Sequence, residues 1–268
     1  MLKAQLDGET VLFPIAGDPI AQVKSPPILT NILTSRGLNA MVVPMHVAPA
    51  DFAAFVALMA RIGNVGGLIA TVPHKRAALE ACDEPSERAS FAGSVNVMRK
   101  TADGRWIGDN TDGHGYMQGV AERGFDIRDK RALLVGVGGA GSAIAFEILD
   151  RGAAHLAIHD VDEVRRDEMI ARLEQRFPGR VGIGSPDPTG FDFVGNATPV
   201  GMKNGDPMPI DAEKYVASQF VADSITKPEV TPHLQIARQK GCAVMPGIGM
   251  LDAQAELLVD VLTGQNLN

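Results

Sequence analysis

Two short segments set a proton-transfer side chain in a stiff frame: Thr71-Val72-Pro73-His74-Lys75 and, 37 positions later, Gly108-Asp109-Asn110-Thr111-Asp112-Gly113. An isolated lysine titrates near about 10, and a carboxylate beside it favours the ammonium form. Such a pair gives a proton to a ketone oxygen and, in reverse, takes the proton of a hydroxyl. Downstream stands Gly136-Val137-Gly138-Gly139-Ala140-Gly141, whose spacing lets a backbone turn approach a pyrophosphate. Proton transfer upstream of a hydride carrier's site is the outline of an alcohol dehydrogenase. Taken singly, a lysine after a strand also serves as a surface charge, and Asp in an Asn-Thr-Asp-Gly loop as a turn former.

The elements that must hold these residues are legible as β-loop-α units. Val11–Gly17 is a short apolar run stopped by Gly-Asp-Pro, and Ser25-Pro26-Pro27 opens a helix with Ser25 as N-cap. A strand follows at Met41–Met45, then a helix capped by Asp51 that carries Phe52, Phe55, Val56 and Met59. Gly66–Val72 is a third strand ended by Pro73, which lacks a ladder N–H, so Lys75 falls just past its carboxyl end. Ligands of open α/β sheets bind at that edge. Short strands are expected at Ser94–Met98 and through Trp106-Ile107, the latter running into the Asp112 loop.

From Arg131 a second α/β series begins, with strands at Ala132–Val137, His155–Asp160, Phe191–Gly195, Phe220–Asp223 and Ala243–Met245. Alternation with helix-length stretches predicts a parallel, helix-covered sheet. The Gly136–Gly141 turn sits between a strand and a helix expected at Ala140–Asp150, with the acid Asp160 about 20 residues on, which together predict a dinucleotide site. Asp160 suits a ribose hydroxyl and repels a 2′-phosphate, so NAD is expected over NADP. Arg165 and Arg166, early in the following helix, complicate this because they could reach a phosphate, although a solvated helix face is the commoner place for such residues. Gly249–Leu262 is a last amphipathic helix, more than a six-strand sheet needs.

Hydrophobic residues make up 45% of the 268 and charged residues 21%, the composition of a globular protein of one large or two modest domains. The net charge of −7 excludes a phosphate-backbone partner and points to a small-molecule ligand. No apolar run approaches a membrane span and the start lacks a signal pattern, so no membrane partner and a cytoplasmic chain are expected. Cys82 and Cys242 are not ligand-spaced; they are expected as buried free thiols, with no metal site. His155 and His159 read as structural. Oligomeric state is not readable, a monomer and a small homo-oligomer being equally consistent.

In this order the chain resembles the shikimate dehydrogenase family. The blocks are Gly17-Asp18-Pro19-Ile20 through Ser25-Pro26, Thr71–Lys75, Val95-Asn96, Gly108–Gly113, Gly136–Gly141, Asn196-Ala197-Thr198-Pro199-Val200-Gly201-Met202, and Gly247-Ile248-Gly249-Met250-Leu251 to Gln254. The resemblance implies an α/β chain of two domains: a substrate-binding and catalytic domain of residues 1–112 plus 247–268, and a Rossmann-type dinucleotide-binding domain of residues 113–246. Its last helix would return to the first domain. By the same resemblance Lys75 and Asp112 are the catalytic pair, and Ser25, Val23, Thr71, Asn96, Gln254 and Thr226 occupy the positions that bind a cyclic hydroxy acid. Gly136, Gly138, Gly139, Ala140, Gly141, Asp160, Asn196, Ala197, Thr198, Gly247 and Met250 would hold NAD or NADP. The family's place is aromatic amino acid biosynthesis.

Three departures fall on the substrate side. Where the family has a His-Ser-x-Ser segment, this chain has Gln22-Val23-Lys24-Ser25, so Val23 replaces a hydroxyl expected on the substrate carboxylate. A hydrogen bond to a charged group is worth about 1.5–3 kcal/mol, so the change weakens carboxylate binding by about ten- to a hundredfold unless Gln22 or Lys24 compensates. Thr226 stands where a tyrosine is expected, and Ile69 where an asparagine is. The expected substrate is shikimate, quinate or a related cyclic polyol acid. A dehydrogenase for a related substrate lacking the carboxylate, or a non-catalytic metabolite sensor, are the other readings.

Overall fold

The computed structural model describes residues 6–265, which divide into two compact units. Of the described residues the first comprises 6–111 with 254–265 and the second Asp112–Ala253.

The first unit runs β1 (Val11–Gly17), α1 (Ser25–Ser35), β2 (Ala40–His46), α2 (Phe52–Arg61), β3 (Gly67–Ala70), α3 (Lys75–Glu80), β4 (Glu84–Pro85), α4 (Glu87–Ala92), β5 (Val97–Lys100) and β6 (Trp106–Asp109). Its sheet has the order β2-β1-β3-β5-β6-β4. The β-loop-α half pairs in parallel, whereas β5 pairs antiparallel with both β3 and β6. A tight turn at 102–104 joins β5 to β6, as an antiparallel pair allows. Helix α1 begins one residue earlier than its proline suggests: Lys24 is the cap, without a side-chain bond, and Ser25 is the first helical residue. Asp51 occupies the cap of α2 but also makes no side-chain cap bond, because a 3-10 turn at Pro49–Asp51 leads into the helix.

The second unit contains α5 (Asp112–Glu122), β7 (Arg131–Val135), α6 (Gly139–Asp150), β8 (His155–His159), α7 (Glu163–Arg176), β9 (Val181–Ile183), β10 (Phe193–Asn196), β11 (Phe220–Asp223), α8 (Pro232–Gln239) and β12 (Ala243–Met245). All its strands are parallel, in the order β12-β11-β10-β7-β8-β9. This is the Rossmann-type order, with the direction of strand succession reversing between β7 and β10. Asp112 is not in a loop; it is the first residue of α5.

Helix α9 (Gly247–Thr263) begins in the second unit and ends in the first. There Ala255, Leu258, Val259, Val261 and Leu262 join Phe13, Ile15, Leu29, Leu33 and Ile69 in one apolar cluster. Arg36 ties the end of α1 to this helix through Asp260 at 2.7 Å and through Glu256. The returning helix is therefore core to the first unit. Cys242 is buried as expected, whereas Cys82 is only half-buried; both are free thiols. Among the described residues no helix is long and apolar enough to cross a membrane.

Candidate active-site residues in the two units

In the first unit the candidate residues gather at the carboxyl ends of β1 and β3. Thr71 N donates to Ala16 O at 2.9 Å, carrying the β1–β3 pairing one step past the strand. A β-carbon on Gly17 would lie 2.6 Å from Thr71 Cγ2, so only glycine lets the two strand ends approach. The Lys75 segment is anchored by its neighbour. His74 is buried, its Nε2 lies 2.8 Å from Val47 O, and its ring stacks on Phe52 at 4.5 Å. His74 caps α3 and Lys75 is its first residue, half-buried, with its carbonyl accepting from Val95 N at 2.9 Å.

A polar ring lies beside this edge. Asn96 Oδ1 accepts from Thr111 N at 3.0 Å and Asn96 Nδ2 donates to Thr111 Oγ1 at 3.0 Å. Thr111 Oγ1 in turn donates to Gln254 Oε1 at 3.3 Å. Structure thus brings Asn96 and Gln254 together through Thr111. The turn that presents Thr111 is fixed from behind by Asp109, which receives Arg88 at 2.5 and 3.0 Å and Ser86 Oγ at 2.5 Å. Burial pushes the Asp109 carboxyl up, but the Arg88 guanidinium and the Ser86 and Asn110 donors outweigh it and hold the group below its ordinary value.

Ser25 is buried at the first turn of α1, while Val23 packs on the apolar cluster that also contains Ile69. Gln22 Nε2 donates to Pro19 O at 2.6 Å and Lys24 is exposed.

In the second unit Asp112 is 2% exposed at the start of α5. A β-carbon on Gly113 would lie 2.2 Å from Ala143 O in α6, so the two helices cross with their backbones touching. Gly119 makes the matching approach to Gly249 O in α9, at 2.6 Å. Helix α5, unannounced by its glycine-rich sequence, is thereby set directly against the helix that the dinucleotide turn opens.

That turn has the form such a ligand needs. Gly136 has φ +94°, and Gly141 sits where a β-carbon would be 2.1 Å from Gly136 O. Gly138 caps α6 without a side-chain bond, and the first turn of a helix favours an anion through its N–H groups and dipole. Gly139 and Ala140 form the first turn. Across the strand-order reversal, Asn196 ends β10 and folds over Thr198, its Oδ1 accepting Thr198 N at 3.0 Å and Oγ1 at 2.7 Å. Ala197 N donates to Val135 O at 2.8 Å, and Thr198 Cγ2 would touch a β-carbon on Gly136 at 2.6 Å. These residues line the crevice where doubly wound sheets take dinucleotides.

Two features here were not readable from residue spacing. Asp160 accepts Val137 N at 2.8 Å and Asp162 N at 2.9 Å, and Arg165 closes on it at 2.7 and 3.3 Å. Burial pushes this carboxyl up, yet those donors outweigh it and hold it low. Arg165 therefore pairs with Asp160 while remaining on an exposed face of α7. Arg166 is also engaged, with Asp167 at 2.8 Å and Glu163 at 3.9 Å.

The second is a buried relay behind Asn196. Its Nδ2 donates to Asp223 Oδ1 at 3.2 Å; Asp223 Oδ2 meets His233 Nε2 and Thr231 Oγ1, each at 2.6 Å; and His233 Nδ1 lies 3.1 Å from Tyr215 OH. Thr226 follows β11, half-buried, next to Ile225, whose carbonyl oxygen would lie 2.3 Å from a β-carbon on Gly247. Met250 is buried in the first part of α9. Among the described residues no group of three or more His, Cys, Asp or Glu is placed to hold a metal.

Residues 15–98 match the family described as the shikimate dehydrogenase substrate binding domain. A shikimate dehydrogenase (NADP(+)) of Acidiphilium cryptum is 34% identical over 254 residues, covering 93% of this chain and 89% of the relative. A solved shikimate dehydrogenase in complex with NADP+ superposes with a TM-score of 0.90 at 27% identity, covering 98% of this chain and 93% of the other. A ligand-free 5-ketofructose reductase from a Gluconobacter species gives 0.84 at 28% identity, with 97% and 95% covered.

Proposed function

The chain belongs to the shikimate dehydrogenase family and is a dehydrogenase, and from that premise we propose that it interconverts a secondary alcohol and a ketone on a polyhydroxylated ring, as in shikimate or quinate, with Lys75 as acid and base and Asp112 as its partner. The observation that carries the reading is the backbone contact of Gly113 with Ala143, which ties the Asp112 carboxylate to the helix opened by the dinucleotide turn.

In the reducing direction the ketone carbon gains a hydride and its oxygen a proton. The Gly136–Gly141 turn would hold a nicotinamide dinucleotide, which would supply the hydride. The Lys75 ammonium supplies the proton, from a residue whose backbone is fixed by the neighbouring His74 anchor and by the Val95 N–H bond to its carbonyl. Asp112 orients that ammonium and balances its charge. Thr71, Asn96 and Gln254 take the ring hydroxyls; the Gln254 amide is engaged only through Oε1 among the described residues, leaving its Nε2 to donate. Steady-state kinetics of Lys75→Ala test this: kcat falls by about 10²–10⁴-fold, with cofactor affinity by fluorescence titration unchanged. Turnover at the parent rate removes Lys75 from the mechanism.

NAD is the preferred carrier, although the Acidiphilium relative is named for NADP(+). A 2′-phosphate needs a cation not already matched. Arg165 faces Asp160 and Asp162, and Arg166 faces Glu163 and Asp167, so each guanidinium near this position already has two carboxylates.

The ring substituents are less constrained. Relatives named for shikimate take an acid, whereas the structural neighbour named for 5-ketofructose takes a sugar ketone.

A further inference from the structure

We propose that the ketone this site reduces carries no carboxylate, its substrate class being neutral polyhydroxylated ketones and the alcohols they become. The proposal rests on the dehydrogenase reading above and concerns the first unit alone.

An anion in a partly buried site is stable only where charged or convergent hydrogen-bond donors replace its water. The segment Ile20–Ser25 offers few. Val23 turns its side chain into the apolar cluster that contains Ile69, Leu258 and Val259, so neither Val23 nor Ile69 donates anything. Gln22 is a weak substitute, because its amide nitrogen is tethered by one of its two N–H groups to Pro19 O at 2.6 Å.

The helix that follows is a poor anion holder as well. A helix start normally presents its first N–H groups to a negative ligand. In α1 the second and third helical residues are Pro26 and Pro27, and neither has an N–H. Its cap, Lys24, is exposed to solvent, where a carboxylate gains little from it.

The rest of the edge is suited to neutral oxygens. Thr71, Ser25, Asn96, Thr111 and Gln254 are hydroxyls and amides, and three of them are already joined in one hydrogen-bonded ring. Amides and hydroxyls both donate and accept, which matches ring hydroxyls that do the same. Lys75 alone brings a cation, and the reaction uses it at the carbonyl oxygen.

The test uses the full-length protein with NADH and two ketones of one skeleton: 3-dehydroshikimate, and 5,6-dihydroxycyclohex-2-enone, which is that ring without its carboxylate. Binding by calorimetry and turnover by NADH absorbance are read separately. The neutral ketone is expected to bind at least as tightly and to have the higher kcat/KM. Val23→Ser and Ile69→Asn, each checked for a parent-like melting temperature, are expected to raise the ratio of kcat/KM for the acid to that for the neutral ketone by about tenfold. Two results overturn the proposal: tighter binding of the acid to the parent protein by tenfold or more, or loss of that binding in Lys24→Ala. Tighter binding of the neutral ketone without turnover supports the ligand class and refutes the dehydrogenase reading instead.

Discussion

Gly113 lies so close to Ala143 that a β-carbon on it would stand 2.2 Å from the Ala143 carbonyl oxygen. Backbone, unlike the end of a flexible side chain, cannot move aside cheaply, so Gly113→Ala must separate α5 from α6. Asp112 is the adjacent residue and moves with α5. The expected result is a fall in kcat of at least tenfold with a loss of about 1–3 kcal/mol in stability, read by steady-state kinetics and urea denaturation. Gly124→Ala, at a left-handed position with nothing within 4 Å, is strained but not crowded and should leave kcat unchanged.

The Asp109–Arg88 pair makes a second prediction, about pH. The folded carboxyl titrates below the unfolded value of about 3.9. Its contribution is therefore fully present above that value and is lost as pH falls through the lower folded value. Asp109→Asn should destabilise the chain by about 1–3 kcal/mol at pH 7, and the difference from the parent should narrow below about pH 4. A gap in urea midpoint that stays constant from pH 7 to pH 3 would show that the charge contributes nothing.

Much of this architecture is legible in the order of residues, and the exceptions share a cause. The Gly136 turn announces itself because positive φ and close approach require glycine. Helix α5 does not, since Gly113, Gly115 and Gly119 lower its intrinsic propensity and its helicity comes from burial against α6 and α9. Strand β5 runs from Val97, three residues after the Ser94 its apolar run suggests, although Asn96 already bonds both neighbouring strands, its N donating to Asp109 O at 3.0 Å and its O accepting from Ala70 N at 2.8 Å. Edge strand β9 has three residues, too few for a pattern. Arg165 is five positions from Asp160, across a strand end and a helix start, so no periodicity reports their pairing.

The relay behind Asn196 makes a third prediction. Asp223 holds Asn196, and His233 and Thr231 hold Asp223, all within the buried interior. His233→Leu removes a donor from Asp223 and the partner of Tyr215 OH, and should cost about 1–3 kcal/mol. If the relay positions the Asn196–Thr198 segment against Gly136, His233→Leu raises KM for the dinucleotide more than it lowers kcat, and His233→Gln, which keeps a side-chain N–H, restores part of it. Equal KM values in both variants would reduce the relay to a stability element.

Arg165 offers the sharpest test of the carrier. Its guanidinium shields Asp160, which already accepts two backbone N–H groups. Removing it in Arg165→Ala leaves Asp160 open to a ribose hydroxyl and without the cation that neutralises it, so its carboxylate repels a 2′-phosphate more strongly. The ratio of kcat/KM for NAD to that for NADP should then rise by about three- to thirtyfold, the effect of one charge-assisted hydrogen bond at a half-exposed position. Asp160→Ser should move the ratio the other way, because Arg165 would lose its main carboxylate and become available to phosphate. If Arg165→Ala lowers the ratio, the guanidinium serves NAD through Asp160 and its removal disorders the turn at Val137.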